Sequence, residues 1–299
     1  MKHIVSIHQF SEADKQKVFS RSQKFQNSPS WAIPQPLRGR VIATLFYESS
    51  TRTRLSFESA ILRLGGSVLS TDNAGEVLSA IKGESLEDTI KIVGGYADAI
   101  VLRHYEAGAA ARAAKVSNVP IINAGDGTGE HPTQALLDLY TLLQHKPNLD
   151  GVVIGVAGDL LGSRTLHSFL MILKTFPVRF RLIAPPGFEL PEEYRTMLDG
   201  AGINYQADSD ILRHLPDLDV LYINRWQTER YKDVPDPPKG PALTVADLRV
   251  MKPDAIIMNP LPRISELDTA IDEDPRAIYF EQAKNGLYVR MALLSELFD

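Results

Sequence analysis

Val41-Ile42-Ala43-Thr44-Leu45-Phe46, followed at once by Tyr47-Glu48-Ser49-Ser50-Thr51-Arg52-Thr53-Arg54, reads as a strand that passes through a short turn into a helix. Apart from Thr44 the first run is apolar throughout, as in strands covered on both faces. The helical part places Leu55, Phe57, Ala60, Ile61 and Leu64 at helical spacing and stops at Gly65-Gly66. The turn combines the hydroxyls of Ser50, Thr51 and Thr53, the N–H groups of a helix N-terminus, and the guanidiniums of Arg52 and Arg54. A serine N-cap followed by solvated arginines is the plain alternative. So many donors within five residues favour a seat for a phosphate-sized anion.

The same unit recurs along the chain. Strands are expected at 41–46, 67–70, 99–102, 120–123, 152–156, 179–184, 220–224 and 255–258, with a short ninth at 277–280. Helical patterns fall between them, among others at 84–96, 132–144, 164–175 and 191–201. Such alternation predicts an α/β protein with doubly wound parallel sheets. Lys146-Pro147-Asn148 closes one helix before a fresh Gly-Val-Val-Ile-Gly strand, so two domains are expected. Residues 1–131 form the first, 132–146 a connecting helix and 147–286 the second, with a terminal helix at 287–299 packing back on the first. Ligands of such folds bind at strand carboxyl ends and domain junctions, so a cleft between the domains is the expected site. Prolines 235, 237, 238 and 241 mark a surface loop.

The composition, 44% hydrophobic and 23% charged over 299 residues, is that of a globular protein with a substantial core. A net charge of −5 argues against a nucleic-acid partner. No apolar run approaches the roughly 18 residues of a membrane span, and residues 1–6 do not open an apolar leader, so no membrane partner and a cytoplasmic location are expected. The absence of cysteine removes thiolate nucleophiles, disulfides and Cys-based zinc sites. Seven scattered histidines with no H-E-x-x-H give no metal site. Gly155-Val156-Ala157-Gly158 lacks dinucleotide-loop spacing, and neither a phosphate-loop lysine motif nor a nucleophile elbow is present.

Arginine stands in or just beyond the loop at five expected strand ends. These are Arg52 and Arg54, Arg103, Arg164, Arg225 and Arg263. In an acidic protein such convergence implies a ligand with several negative charges, such as a phosphate together with carboxylates. His131 lies between a glycine-rich loop and the helix opened by Pro132, placed to present its ring.

Ser50-Thr51-Arg52-Thr53-Arg54 and His131-Pro132-Thr133-Gln134 resemble the two signatures of the aspartate/ornithine carbamoyltransferase family. Arg225-x-Gln227 and Pro260-Leu261-Pro262-Arg263 resemble marks of the members that use aspartate. Lys82-Gly83-Glu84-Ser85 resembles the loop through which one subunit enters its neighbour's site. The motifs run in the family's order along essentially the whole chain.

The resemblance implies transfer of the carbamoyl group of carbamoyl phosphate to the α-amino group of L-aspartate, in a homotrimer with shared sites and no cofactor. Regulatory chains are left open. By the same resemblance, Ser50, Thr51, Arg52, Thr53, Arg103 and a neighbour's Lys82 hold phosphate. Thr53, Arg103 and His131 donate to the carbamoyl oxygen, and Gln134 with the Pro260-Leu261 backbone fixes its NH₂. Arg164 and Lys82 take the α-carboxylate, and Arg225 and Gln227 the side-chain carboxylate. Arg52, Thr53, Lys82, Arg103 and His131 form the implied catalytic set, while Glu48 pairs with Arg164 and Arg230 to hold a closed form.

Asn259 stands where the family's aspartate members usually carry histidine, and Leu78 where serine is frequent. Ornithine or another amine as acceptor, and a non-catalytic anion-binding relative, are the alternatives. Asn259-Pro260-Leu261-Pro262 in place of a His-Cys-Leu-Pro motif weighs against ornithine, and the intact Arg52, Arg103, His131 and Arg164 set against lost catalysis.

Overall fold

A computed structural model describes residues 2–72, 74, 83–226 and 242–299. The chain divides into two compact units, one of Met1–Tyr140 with Lys284–Asp299 and one of Thr141–Ala283. The divisions fall inside the connecting helix and inside the last helix.

The first unit runs α1 (Glu12–Asn27), β1 (Val41–Phe46), α2 (Thr51–Arg63), β2 (Ser67–Asp72), α3 (Leu86–Gly94), β3 (Ala99–His104), α4 (Ala109–Val116), β4 (Ile121–Asp126) and into α5 (Pro132–His145). Its four strands are all parallel in the order β2-β1-β3-β4. The apolar sequences of β1, β3 and β4 are buried nearly throughout, as continuous runs predict. Edge strand β2 is not: Leu69 remains 43% exposed. On α2 the buried stripe is Phe57, Ala60, Ile61 and Leu64, while Leu55 faces outward. One core layer joins Ala43, Leu45, Ile100 and Leu102 of the sheet to Leu86, Ile90, Ala109 and Ala113 of the helices.

The second unit continues with β5 (Val153–Ala157), α6 (Arg164–Leu173), β6 (Arg179–Ile183), α7 (Glu192–Gly200), β7 (Asn204–Asp208), α8 (Ile211–His214), β8 (Val220–Ile223), β9 (Ile256–Met258) and the start of α9 (Tyr279–Phe298). Its parallel sheet has the order β7-β6-β5-β8-β9. Phe169 of α6 stacks on Tyr222 of β8 at 4.3 Å, and both are fully buried. Among the described residues, no helix is long and apolar enough to cross a membrane.

The structure differs from the sequence expectations at three places. The expected strand at 277–280 is a single bridge, Ile257 to Ala277, after which α9 begins at Tyr279. The strand Asn204–Asp208 has no apolar run to announce it, because it is an edge strand with mostly solvated side chains. Strand β3 continues through Arg103 and His104, held by parallel pairing of Phe46 with Arg103 and of His104 with Asp126.

Candidate active site

Each sheet has a point where successive crossovers leave a strand in opposite directions, opening a crevice at the carboxyl ends. In the first unit it lies between β1 and β3. The turn after β1 leads to α2, whose N-cap is Ser50. Serine caps at Ser6, Ser11, Ser85 and Ser163 each accept a backbone N–H in the usual way, but the Ser50 side chain makes no such bond. Nor does the first turn of α2 carry an acidic residue, unlike those of α1 and α3. This terminus keeps its positive end uncompensated by its own cap or first turn, as an anion seat requires. Thr51 and Arg52 are exposed and Thr53 is buried. Arg54 is drawn instead toward Glu58, at 3.5 Å, which also accepts from Ser70 Oγ at 2.6 Å.

Arg103, whose side chain is only 11% exposed, reaches the crevice from β3. Its Nη2 lies 3.3 Å from Glu48 Oε2, and its Nη1 donates to the Ala124 carbonyl at 3.4 Å. Glu48 thus has an ion-pair partner within its own unit. Beyond β4, His131 is 2% exposed, and its carbonyl accepts from the N–H groups of Gln134 and Ala135. The Thr133 hydroxyl stands 3.5 Å from its Nδ1, at the long limit of hydrogen bonding.

The loop before His131 is fixed by two carboxylates that sequence reasoning did not single out. Asp126 accepts from the Glu130 and Gly108 N–H groups, and Glu130 accepts from Ser6 Oγ and the Ile7 N–H at 2.7 Å each. Their only signal in the sequence is acid flanking a glycine-rich turn, too common to be read alone.

In the second unit the crevice lies between β5 and β8. Arg164 opens α6 after β5 and is buried, while Arg225 follows β8 and donates to the Trp226 carbonyl at 3.1 Å. Here the helix N-terminus is closed. Ser163 Oγ accepts from the Leu166 N–H at 3.4 Å and from Asn224 Nδ2 at 2.6 Å, and Asp159 accepts from the Gly162 N–H. Gly158 permits the approach of the two strand ends, since a Cβ there would stand 2.1 Å from the Asn224 carbonyl oxygen.

Pro260 and Leu261 follow β9. Leu261 holds a left-handed φ of 55°, and its N–H donates to Asn259 Oδ1 at 2.6 Å. Buried Asn259 also donates from Nδ2 to Glu266 Oε1 at 2.9 Å. It therefore uses both ends of its amide to shape the Pro260-Leu261 backbone, a role asparagine can fill in histidine's place. Arg263 is committed elsewhere, paired with Asp272 and donating to Tyr279 Oη.

A cavity of about 220 Å³ lies at the ends of β5, β6 and β7, lined by Leu160, Leu182, Leu190, Arg195 and Asp208 among others, and it takes in none of the expected site residues. Lys82, Gln227, Arg230, Leu78 and the proline-rich tract lie outside the described residues.

Residues 2–144 match the family model described as the aspartate/ornithine carbamoyltransferase carbamoyl-phosphate-binding domain, and residues 150–297 match the Asp/Orn-binding domain model. The chain belongs to the aspartate/ornithine carbamoyltransferase family. Among similar proteins, the aspartate carbamoyltransferase catalytic subunit of Methanospirillum hungatei is 44% identical, with 99% of each chain covered. The chloroplastic aspartate carbamoyltransferase of Arabidopsis thaliana is 48% identical over 94% of this chain and 73% of its own length. The crystal structure of aspartate transcarbamoylase from Trypanosoma cruzi in complex with carbamoyl phosphate superposes with a TM-score of 0.93. It is 37% identical, over 99% of this chain and 95% of that one. Within the family the chain falls on the aspartate side, as an enzyme of the transferase class.

Proposed function

We propose that the chain transfers the carbamoyl group of carbamoyl phosphate to the α-amino group of L-aspartate, giving N-carbamoyl-L-aspartate and phosphate for pyrimidine biosynthesis. The observation that carries this reading is the N-terminus of α2, without a capping bond or a first-turn acid, in the crevice with Arg103. Ser50, Thr51, Arg52, Thr53 and Arg103 take the phosphate. Thr53, Arg103 and His131 donate to the carbamoyl oxygen as charge develops on it. The Gln134 amide and the Pro260-Leu261 backbone take the carbamoyl NH₂.

Arg164 and Arg225 suit a dicarboxylate, because a planar guanidinium matches a carboxylate edge to edge. The cationic side chain of an acceptor such as ornithine gains nothing from the second of these groups. The amine nitrogen forms a bond to the carbamoyl carbon while the carbon–oxygen bond to phosphate breaks. The departing phosphate accepts the amine proton. No covalent nucleophile is invoked, and orientation and electrostatics supply the rate.

Completion of the site by Lys82 from a neighbouring subunit of a homotrimer is part of the proposal, as are Gln227 on the aspartate and Glu48, Arg164 and Arg230 in domain closure. A cytoplasmic location belongs to it in the same way, supported by the sequence composition, and regulatory chains stay open. The deciding experiment incubates the protein with carbamoyl phosphate and either aspartate or ornithine and measures ureido product. Product from aspartate alone is expected. Product from ornithine, or from neither, overturns the reading.

A further inference from the structure

Behind Gln134 lies a buried charged network that the reaction as described does not use. Gln134 and Asp138 are four residues apart on α5 and so share one face of the helix. Gln134 Nε2 donates to Asp138 Oδ1 at 2.9 Å, and Asp138 is fully buried. From α9 comes Arg290, 3% exposed, its guanidinium 5.1 Å from the centre of the Phe57 ring. Burial lowers the Arg290 pKa to about 10, with the negative charge of Asp138 opposing that shift and the positive charge of Arg52 adding to it. Gly286, one turn earlier on α9, makes room. A Cβ there would stand 2.4 Å from Arg290 Nη1 and 3.1 Å from Leu137 Cδ2.

An amide can be inserted into a site either way round, offering a donor or an acceptor. An ionised carboxylate only accepts. Asp138 therefore claims the NH₂ of Gln134 and leaves its Oε1 as the end available to a ligand. Carbamoyl phosphate differs from acetyl phosphate in one group, an NH₂ in place of a CH₃, and only the former can donate to Oε1.

We infer that Asp138 is a positioning residue that fixes the Gln134 amide with its oxygen toward the ligand, so that the site selects a carbamoyl over an acetyl group. The inference rests on the assignment of Gln134 to the carbamoyl NH₂. A neutral partner in place of the carboxylate, able to donate as well as accept, would let the amide turn over.

The test compares dissociation constants for carbamoyl phosphate, acetyl phosphate and inorganic phosphate, measured without aspartate. Asp138→Asn should weaken carbamoyl phosphate about tenfold or more while acetyl phosphate and inorganic phosphate change less than about twofold. A merely structural role would weaken all three together, and that result overturns the inference, as does no change. If Asp138→Asn does not fold, the double variant Asp138→Asn/Arg290→Met, which removes both buried charges, should show the same selective loss; parallel loss for all three ligands again overturns it. Gln134→Ala separates the two levels. An unchanged carbamoyl-to-acetyl ratio in that variant defeats the assignment of Gln134 and the inference with it. A lost ratio there with a retained ratio in Asp138→Asn defeats the role of Asp138 alone.

Discussion

The two units solve the same topological problem and then treat their helix N-termini in opposite ways. Each has a parallel sheet with a crevice where crossovers diverge, between β1 and β3 in one and between β5 and β8 in the other. In the first, the helix entering the crevice has no capping bond from its serine and no acid in its first turn. In the second, the equivalent helix is capped by Ser163, and Asn224 reinforces the cap across the crevice. An open terminus offers several N–H donors and a dipole to one compact, multiply charged group. The capped terminus has one of its N–H groups committed to Ser163, and in the proposed reading recognition there falls to the long side chains of Arg164 and Arg225. In the proposed reading the open terminus is the phosphate seat and the second crevice the carboxylate reader.

The largest expected effect breaks the first unit's chemistry and leaves its seat. His131→Ala should lower turnover by about 10²–10³, the usual cost of losing one oxyanion donor. Binding of carbamoyl phosphate, measured by titration without aspartate, should weaken far less, because the open helix terminus and Arg103 remain. Turnover near that of the parent protein would take His131 out of the chemistry.

A second substitution asks whether the two crevices act on separate ligands. Arg225→Ala removes a charge-assisted contact worth about 1.5–3 kcal/mol, so KM for aspartate should rise about 10- to 150-fold. The dissociation constant for carbamoyl phosphate should stay within about twofold. Equal loss for both ligands in this variant would erase the distinction between seat and reader.

How far the sequence can be read follows the same division. The strand–turn–helix at Val41–Arg63 and the buried strands were legible because their apolar runs have no other physical outlet. Edge strand Asn204–Asp208 was not, since solvated side chains leave only backbone pairing to define it. The donors around Ser50 were legible as a cluster. What was not legible is that Ser50 declines to cap, because a serine before a helix has the same spelling whether or not its hydroxyl is committed. Within its own unit Glu48 stands beside Arg103, a contact across a sheet register that local sequence does not encode. Asn259 read as a departure; its two amide bonds to Leu261 and Glu266 depend on a turn whose left-handed leucine no propensity predicts.

The smallest expected effect concerns acid. His104, next to Arg103, is buried between the rings of Tyr47 and Tyr105, with Nδ1 accepting from the Glu106 N–H at 3.0 Å. A nitrogen that accepts must be unprotonated, and burial, aided by Arg112, lowers the pKa below 6.5 against the pull of Glu106 and Asp126. The unfolded chain then binds a proton that the folded chain resists, so stability falls as pH drops from about 6.5 toward the folded value. In the second unit the half-buried Asp208 carboxylate accepts from the Asp210 and Ser209 N–H groups and from His214, which hold its pKa down to about 2. Its contribution is present above 3.8 and is lost only as pH falls toward 2. Mild acidification should therefore loosen the first unit before the second. Hydrogen exchange between pH 7 and pH 5 is expected to show protection falling first in β3 and β4, and the neutral substitution His104→Gln to flatten that dependence. An unchanged slope in His104→Gln would assign the acid sensitivity to other groups and leave the two units alike in this respect.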